Sequence, residues 1–194
     1  LFEAINSNYV VKNHIQKVDF VQVIGVDNVL NKLLDPIQVG SCARGGLDAC
    51  LKCAVKKDAS EKVGVVCKKN GKLDVVEYTE IGEELMNQTN EDDSLYLELG
   101  SLLMFMLSSK MLLRLCKDTS AINKLYHKAY KKLPTWDRDA QATVKPEVEN
   151  GYKFELFLQS LLPFVSEDKF LALKVDRAEE FAPVKNANSA EGEE

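Results

Sequence analysis

The sequence predicts an α/β fold in which a mixed sheet is flanked by helices, with an antiparallel portion contributed by residues 47–78. Two patterns carry this prediction. Segments typical of buried strands alternate with helical segments along 194 residues, and an Asn-Gly pair at 70–71 joins two short strands in a tight hairpin. We expect the rest of the sheet to be mainly parallel, because residues 20–26 form the nearly all-apolar run typical of strands buried on both faces.

Local patterns in the first half of the chain predict a helix, a loop region and several strands. The apolar side chains of its first 16 residues recur at moderately helical spacing. Asp35-Pro36 and the glycines that follow mark a loop after the first strand. In order, we expect a helix over 2–16, strands over 20–26, 47–56, 64–67 and 72–78, and a short helix over 80–86.

Local patterns in the second half predict further helices and strands. The apolar run over 102–115 has the length of a buried helix, and a lysine-rich segment over 123–132 is typical of a solvated helix. In order, we expect a polar loop over 88–94, a strand over 95–99, helices over 102–115, 123–132 and 154–165, a strand over 170–175, and a surface loop or frayed end over 187–194.

Composition and charge argue against several classes of partner. The chain has 25 Lys+Arg against 30 Asp+Glu, a net charge of −5, so the basic excess of a nucleic-acid-binding protein is missing. The longest strongly apolar run, 102–107, is far shorter than the roughly 20 residues of a membrane-spanning helix. The first residues carry neither a start methionine nor a signal-peptide pattern. We therefore expect an internal piece of a longer protein, with no nucleic-acid or membrane partner.

The five cysteines predict a reducing, cytoplasmic setting. Their odd number and sparse placement do not fit a disulfide framework. Cys50 and Cys53 have zinc or redox spacing, but no second pair follows at finger distance. Two ordinary strand cysteines are the favoured interpretation.

Two isolated polar features could carry chemistry. Asp27 and Asn28 directly follow the first strand, where ligands collect in open α/β sheets, although they could equally cap the following turn. His127 has no Ser, Cys or acidic residue nearby in sequence, so a solvated face is favoured over a catalytic histidine.

A series of motifs resembles the eukaryotic UDP-N-acetylglucosamine (UDP-N-acetylhexosamine) pyrophosphorylases. The motifs occur in the family's order over nearly the whole chain. They are Val26 to Leu30, Lys32, Asp35-Pro36 and Gly40, then Val63 to Cys67, Val75 to Glu80, Lys145-Pro146 and Asn150 to Glu155, and finally Glu180-Phe181, Pro183 and Lys185 to Ala187. The nucleotide-cradling loop near the family's N-terminus has no counterpart in these residues.

The resemblance implies a fold, an activity and a cofactor. The fold would be like that of the nucleotide-diphospho-sugar transferases, a Rossmann-like mixed sheet, with residues 1–194 forming part of one catalytic domain that lacks its N-terminal part. The implied enzyme is a uridylyltransferase that makes UDP-N-acetylglucosamine and pyrophosphate from UTP and N-acetylglucosamine 1-phosphate. Mg²⁺ would assist, and the partners would be these small-molecule substrates.

The resemblance also assigns roles to individual residues. Asp27 matches the metal-binding aspartate, and Asn28 the neighbour that approaches the sugar. Gly64 and Glu77 match positions that line the N-acetylglucosamine pocket, where glycine allows close approach and a carboxylate accepts hydrogen bonds from hydroxyls. Lys185 matches the catalytic lysine that contacts the phosphates. In the alternative interpretations Gly64 serves close packing, and Glu77 and Lys185 are solvated.

Departures from the family pattern leave other functions open. Ser101 stands where an asparagine contacts the sugar, and its hydroxyl has a shorter reach than a carboxamide. Asn188 replaces an aspartate that could help to hold the metal or orient the lysine. The alternatives are a broader UDP-sugar pyrophosphorylase and a non-catalytic remnant of the fold that acts as a binding or interaction module.

Overall fold

A computed structural model describes residues 1–117 and 126–184. Its main feature is a six-stranded mixed sheet, with two separate two-stranded sheets later in the chain. The strands of the main sheet are β1 (Phe20–Val23), β2 (Ala49–Val55), β3 (Val65–Lys69), β4 (Lys72–Val76), β5 (Leu99–Ser108) and the strand Phe170–Lys174. The two small sheets consist of β6 (His127–Lys131) with β9 (Gly151–Glu155) and β7 (Thr135–Asp137) with β8 (Ala142–Val144), so Phe170–Lys174 is β10.

Six α-helices complete the described residues: α1 (Phe2–Ser7), α2 (Tyr9–Ile15), α3 (Pro36–Gly45), α4 (Glu83–Met86), α5 (Ser109–Lys117) and α6 (Arg177–Glu180). Short 3₁₀ helices cover Tyr78–Glu80, Leu158–Phe164 and Glu167–Lys169. Within the described ranges, no helix combines the length and the apolar character needed to cross a membrane.

The long strand β5 is the centre of the main sheet. It pairs antiparallel with β2 on one side, and with both β1 and β3 on the other. The expected mixed sheet is confirmed, but the expectation that it is mainly parallel is wrong: β10 with β2 is the one parallel pairing among the described strands. Residues 20–23 pair antiparallel and are half-buried, because a short apolar run indicates burial without fixing strand direction.

The predicted hairpin is confirmed. β3 and β4 pair in register around the turn, from Lys69 opposite Lys72 to Val65 opposite Val76. Asn70 and Gly71 have φ angles of 53° and 76°, the left-handed conformations that a tight two-residue turn requires. The predicted strand over 170–175 is confirmed as β10.

Helix α3 lies where the sequence predicted a loop. The Asp35 carboxylate accepts a hydrogen bond from the Ile37 amide, Pro36 occupies the first turn, and Gly46 ends the helix in the left-handed conformation at φ 56°. These are the ordinary start and stop signals of a helix. The loop prediction was wrong because Pro36 and Gly46 lie at the start and the end of a helix.

The helix predicted over 102–115 is divided between two elements. Residues up to Ser108 belong to β5 and residues from Ser109 onward to α5. Nearly every side chain of β5 is buried, so its sequence carries no alternation that would separate a buried strand from a buried helix. The strand predicted over 95–99 begins only at Leu99.

Three further helix predictions differ from the structure. Residues 2–16 form two helices, because the Asn8 side chain accepts hydrogen bonds from the amides of Val10 and Val11 and starts the second one. Residues 154–165 are divided between β9 and the 3₁₀ helix that contains Pro163. Residues 127–131 form β6 rather than a helix. Residues 123–125, the start of the predicted basic helix, lie outside the described residues.

Helices cover both faces of the main sheet. Leu51, Phe105 and Leu107 belong to a large buried cluster with residues of α1, α5 and the 3₁₀ helix 158–164. Cys42 of α3 packs with Cys50 and Met106. Since neighbouring side chains of a strand point to opposite faces, α3 lies on the face of β2 opposite the large cluster.

Candidate functional site

The loop after β1 presents the Asp27 carboxylate above a glycine. Its Oδ1 lies 2.9 Å from the position that a Cβ of Gly25 would occupy, so a side chain at residue 25 would collide with it. The Gly25 amide donates to the carbonyl of Leu103 in β5, at 3.2 Å. Asp27 is half-buried, and within residues 1–117 and 126–184 its carboxylate has no hydrogen-bond or ion-pair partner.

Asn28 uses its carboxamide to bind the protein itself. Its Nδ2 donates to the Glu180 carbonyl at 2.7 Å and to Asn31 Oδ1 at 3.1 Å. Its Oδ1 accepts from the amides of Ala182, at 2.9 Å, and Leu30, at 3.3 Å. The side chain is 4% exposed. Asn28 therefore fixes residues that are more than 150 positions away in sequence.

We call residues 180–184 the strap, because they lie along the Asp27 loop and are bonded to its backbone. The Val184 amide donates to the Asp27 carbonyl at 2.9 Å, and the Val29 amide donates to the Ala182 carbonyl at 3.3 Å. Asn28 and Pro183 form an isolated β-bridge. Lys185, which follows the strap in sequence, lies outside the described residues, as does Asn188.

Gly64, Glu77 and Ser101 come together at the start of β3 and the end of β4. A Cβ on Gly64 would lie 2.8 Å from Val75 Cγ1 and 3.5 Å from Glu77 Oε1. The Gly64 carbonyl accepts a hydrogen bond of 2.8 Å from the Ser101 amide. Glu77 is half-buried, and Gly64 is packed so closely against Val75 that a side chain there would collide with it.

Gln159, from a segment more distant in sequence, donates a hydrogen bond to the Glu77 carboxylate. Its Nε2 donates to Glu77 Oε1 at 2.9 Å, and the residue is 5% exposed. It comes from the 3₁₀ helix Leu158–Phe164, which packs against β4. Sequence reasoning missed this contact because the segment was predicted as an amphipathic helix. A glutamine flanked by Leu158 and Leu161-Leu162 was the available signal of a buried polar role.

A bulge in β5 connects the two groups of residues. Lys52 pairs with Met104 and Cys53 with Ser101, so Leu102 and Leu103 form an irregularity in the ladder. Leu103 has φ 54°, a left-handed conformation that costs a leucine roughly 1–2 kcal/mol. Its amide donates to Ser101 Oγ at 3.2 Å and its carbonyl accepts from Gly25. Hydrogen bonds therefore run from Gly25 in the Asp27 loop, through Leu103 and Ser101, to Gly64, and Glu77 Oε1 lies 3.5 Å from the position that a Gly64 Cβ would occupy.

A fully buried lysine lies between α3 and the strap. Lys52 is 0% exposed, and its Nζ lies 2.5 Å from Asp35 Oδ2 and 2.5 Å from Glu180 Oε2. Lys32 contacts the second oxygen of Glu180 at 3.4 Å from the surface side. Burial raises the pKa of the Asp35 carboxyl, but hydrogen bonds from Lys52 and the Ile37 amide outweigh it and leave that pKa below its ordinary value. The sequence signal was a lysine within an otherwise apolar strand.

The cysteine spacing does not form a shared site. Cys50 packs with Cys42 and Met106, whereas Cys53 belongs to the large cluster on the opposite side of β2. All five cysteines are free, and burial raises the pKa of the Cys53 thiol to about 12. In the part of the chain that the structure describes, no three His, Cys, Asp or Glu side chains gather as a metal cluster.

Comparisons with known proteins show which family this chain is similar to. Residues 1–190 match the family model described as UTP–glucose-1-phosphate uridylyltransferase. The UDP-N-acetylglucosamine pyrophosphorylase of Saccharomyces cerevisiae is 35% identical over 187 residues, which are 96% of this chain and 39% of that protein. The human UDP-N-acetylhexosamine pyrophosphorylase-like protein 1 is 37% identical over 174 residues, 90% of this chain and 34% of that protein.

Solved structures show the same fold. The putative UDP-N-acetylglucosamine pyrophosphorylase of Entamoeba histolytica superimposes with a TM-score of 0.81 at 28% identity, covering 96% of this chain and 45% of that one. The Trypanosoma brucei uridine diphosphate N-acetylglucosamine pyrophosphorylase, solved with an inhibitor, gives 0.78 at 30% identity, covering 92% and 34%. This chain spans about two fifths of the length of the curated relatives. The family match over residues 1–190, together with this fold, shows that the chain belongs to the UTP–glucose-1-phosphate uridylyltransferase family and is similar within it to the UDP-N-acetylglucosamine pyrophosphorylases.

Proposed function

We propose that these residues form the sugar-phosphate side of a uridylyltransferase that makes UDP-N-acetylglucosamine and pyrophosphate from UTP and N-acetylglucosamine 1-phosphate. The carrying observation is the line of hydrogen bonds that runs from Gly25, in the Asp27 loop, through the β5 bulge to Gly64, which lies beside Glu77. The names of the similar proteins support the choice of reaction and sugar.

The reaction needs alignment and charge neutralisation more than covalent help from the protein. A phosphate oxygen of the sugar phosphate attacks the α-phosphorus of UTP. The new P–O bond forms as the bond from that phosphorus to the bridging oxygen of the β-phosphate breaks, and pyrophosphate leaves. Both reactants are anions, so the site must supply positive charge and hold the attacking oxygen in line.

Asp27 fits a magnesium ligand. Its carboxylate has no partner within the described ranges, and Mg²⁺ is commonly held by one or two carboxylates with waters and substrate phosphates as the other ligands. When bound, the ion would neutralise phosphate charge. We assign Lys185 to the phosphates as the catalytic lysine, because the strap that precedes it is bonded to the Asp27 carbonyl through Val184.

The Glu77 end would bind the sugar. A half-buried carboxylate beside Gly64, bonded to Gln159, can accept hydrogen bonds from sugar hydroxyls. Ser101 lies beside it, with its amide bonded to Gly64 and its hydroxyl already accepting from Leu103. Asn28 would approach the sugar as the resemblance implies, although its carboxamide is bonded to the strap.

A broader UDP-sugar pyrophosphorylase is the second candidate. It is favoured by Ser101 and Leu103, since a short buried hydroxyl and a 44% exposed leucine occupy the bulge between the two ends of the site. Five free cysteines support a reducing compartment, which we take to be the cytoplasm. The net charge of −5 disfavours nucleic acid as a partner.

Calorimetric titration with UDP-N-acetylglucosamine tests the proposal. We expect binding that requires Mg²⁺ and weakens at least tenfold in Asp27→Asn and in Lys185→Ala. The matched controls are Asp168→Asn and Lys110→Ala, which change exposed residues of the same types away from the site. UDP-glucose and UDP-galactose, titrated in parallel, decide between the narrow and the broad specificity. No binding by the folded chain would contradict a ligand site made from these residues and favour the non-catalytic remnant.

A further inference from the structure

The buried cluster around Lys52 has no role in the reaction described above, although burying its charged groups costs desolvation free energy. Lys52 lies in the middle of strand β2, and its ammonium has no exposed surface. Such a buried charge is stable only when groups of opposite charge are paired with it. Asp35 and Glu180 provide these groups at 2.5 Å each, and their side chains are themselves only 10% and 8% exposed. Lys32 contacts the outer oxygen of Glu180 at 3.4 Å and also pairs with the exposed Glu179 at 3.1 Å, so two lysines and three carboxylates form the network.

The partners of Lys52 come from the two segments that flank the Asp27 loop. Asp35 is the N-cap of α3, which follows that loop, and Glu180 is the first residue of the strap. The Glu180 backbone carbonyl also accepts from Asn28 Nδ2 at 2.7 Å. One ammonium therefore fixes both the exit of the Asp27 loop and the start of the strap.

We propose that Lys52 is a positioning residue of the phosphate end of the site. It acts through Glu180 on the strap, and so sets where the chain that leads to Lys185 passes Asp27. The inference rests on the proposed function for its chemical meaning, since it assigns Lys52 a role in placing the groups that receive phosphate. Lys52 stabilises the strap more than it stabilises the sheet, and this difference can be measured without any ligand.

Amide hydrogen exchange of the folded chain gives the first measurement. The amides of Ala182 and Val184 report on the strap, since they donate to Asn28 Oδ1 and the Asp27 carbonyl. The amides of Cys50 and Met106, which lie opposite each other, report on the β2–β5 ladder. In Lys52→Met we expect the strap amides to exchange faster by at least tenfold more than the ladder amides. Equal acceleration of both sets, or none, would overturn the proposal.

Two further variants keep the test decisive if Lys52→Met folds poorly. Glu180→Gln leaves the Lys52–Asp35 pair intact and removes the ion pairs of Glu180 with Lys52 and Lys32, so it should accelerate strap exchange selectively, by at least threefold. Lys52→Arg retains the charge and should disturb the strap less than Lys52→Met. Lys68→Met removes an exposed ion pair with Glu167 and should change neither set of amides.

Titration with UDP-N-acetylglucosamine and Mg²⁺ then separates this inference from the proposed function. If the unmodified chain binds, Lys52→Met should bind at least tenfold more weakly, while Lys68→Met binds normally. Equal binding by Lys52→Met would overturn the positioning role and leave the proposed function standing. An unmodified chain that does not bind would remove the proposed function, and the exchange comparison would still decide whether Lys52 controls the strap.

Discussion

The two ends of the candidate site are built in different ways. At the Asp27 end, the loop after β1 is bonded to a strap more than 150 residues away, and the polar side chains that join them, Asn28 and Lys52, are buried. At the Glu77 end, the site residues belong to the β3–β4 hairpin and the adjoining bulge, with Gln159 as the distant contributor. The first end is fixed by many internal hydrogen bonds, whereas the second depends on space at a glycine and one carboxylate. We infer that the stability of the fold depends more strongly on the Asp27 end than on the Glu77 end.

The largest expected effect breaks the Asp27 end. Asn28→Ala removes four hydrogen bonds and leaves buried partners of the strap unsatisfied, so we expect a loss of roughly 2–4 kcal/mol in the free energy of unfolding. Urea denaturation measures it. Asn90→Ala, which removes side-chain hydrogen bonds in an exposed turn, should cost about 0.5 kcal/mol or less. Similar losses in both variants would remove the difference between this end and an ordinary loop.

A smaller effect is expected at the Glu77 end. In Gly64→Ala the new methyl group would lie 2.8 Å from Val75 Cγ1, so packing strain of roughly 1–3 kcal/mol follows. The same methyl group fills the space beside Glu77, and binding of UDP-N-acetylglucosamine should weaken as well. Gly40→Ala is the control, because a methyl group there meets no atom within 4 Å and α3 should gain about 0.5–1 kcal/mol. A Gly64→Ala chain of unchanged stability and affinity would contradict both parts.

Gln159→Leu sharpens the comparison. It conserves volume while removing one hydrogen bond to Glu77, so the free energy of unfolding should fall by about 1 kcal/mol. If sugar recognition depends on the orientation of that carboxylate, affinity should fall about five- to tenfold in calorimetry, a shift comparable to one hydrogen bond. Stability lost without any change in affinity would assign Gln159 to the core alone.

The smallest effect is expected from an exposed ion pair. Lys68 and Glu167 are 2.6 Å apart, but their side chains are 55% and 56% exposed, so Lys68→Met should change the free energy of unfolding by about 0.5 kcal/mol or less. Thermal denaturation at two salt concentrations is the measurement. A loss of several kcal/mol in the free energy of unfolding would contradict the view that a lysine must be buried, as Lys52 is, for its charge to stabilise this fold.

The parts of the fold that were predictable carry local signals. Asn70-Gly71 determines its own turn, and 170–174 has the pattern of a strand. The division of 102–115 between β5 and α5 was not predictable, because its side chains are buried whichever element they form. The two small sheets and the antiparallel direction of β1 depend on partners distant in sequence.

The candidate site was predictable only where the motifs resemble a family. Ser101 and Gly64 lie on a line of hydrogen bonds that begins at Gly25, close to Asp27, and Glu77 lies beside Gly64. The roles of these four residues stay predictions. Lys52 and Gln159 were missed because each takes its role from a contact with a residue far away in sequence, Glu180 and Glu77. Lys185 stays a prediction, since it lies outside the described residues.

The strap has a consequence for the order in which this chain folds. Its bonds to Asn28 close loops of more than 150 residues, and such closures are late events because their entropic cost precedes any gain in contacts. The hairpin 65–76 can form as soon as its residues are synthesised. A growing chain on the ribosome can therefore form the hairpin early, adds the Gln159 contact to Glu77 later, and completes the Asp27 end only after Val184 has left the exit tunnel.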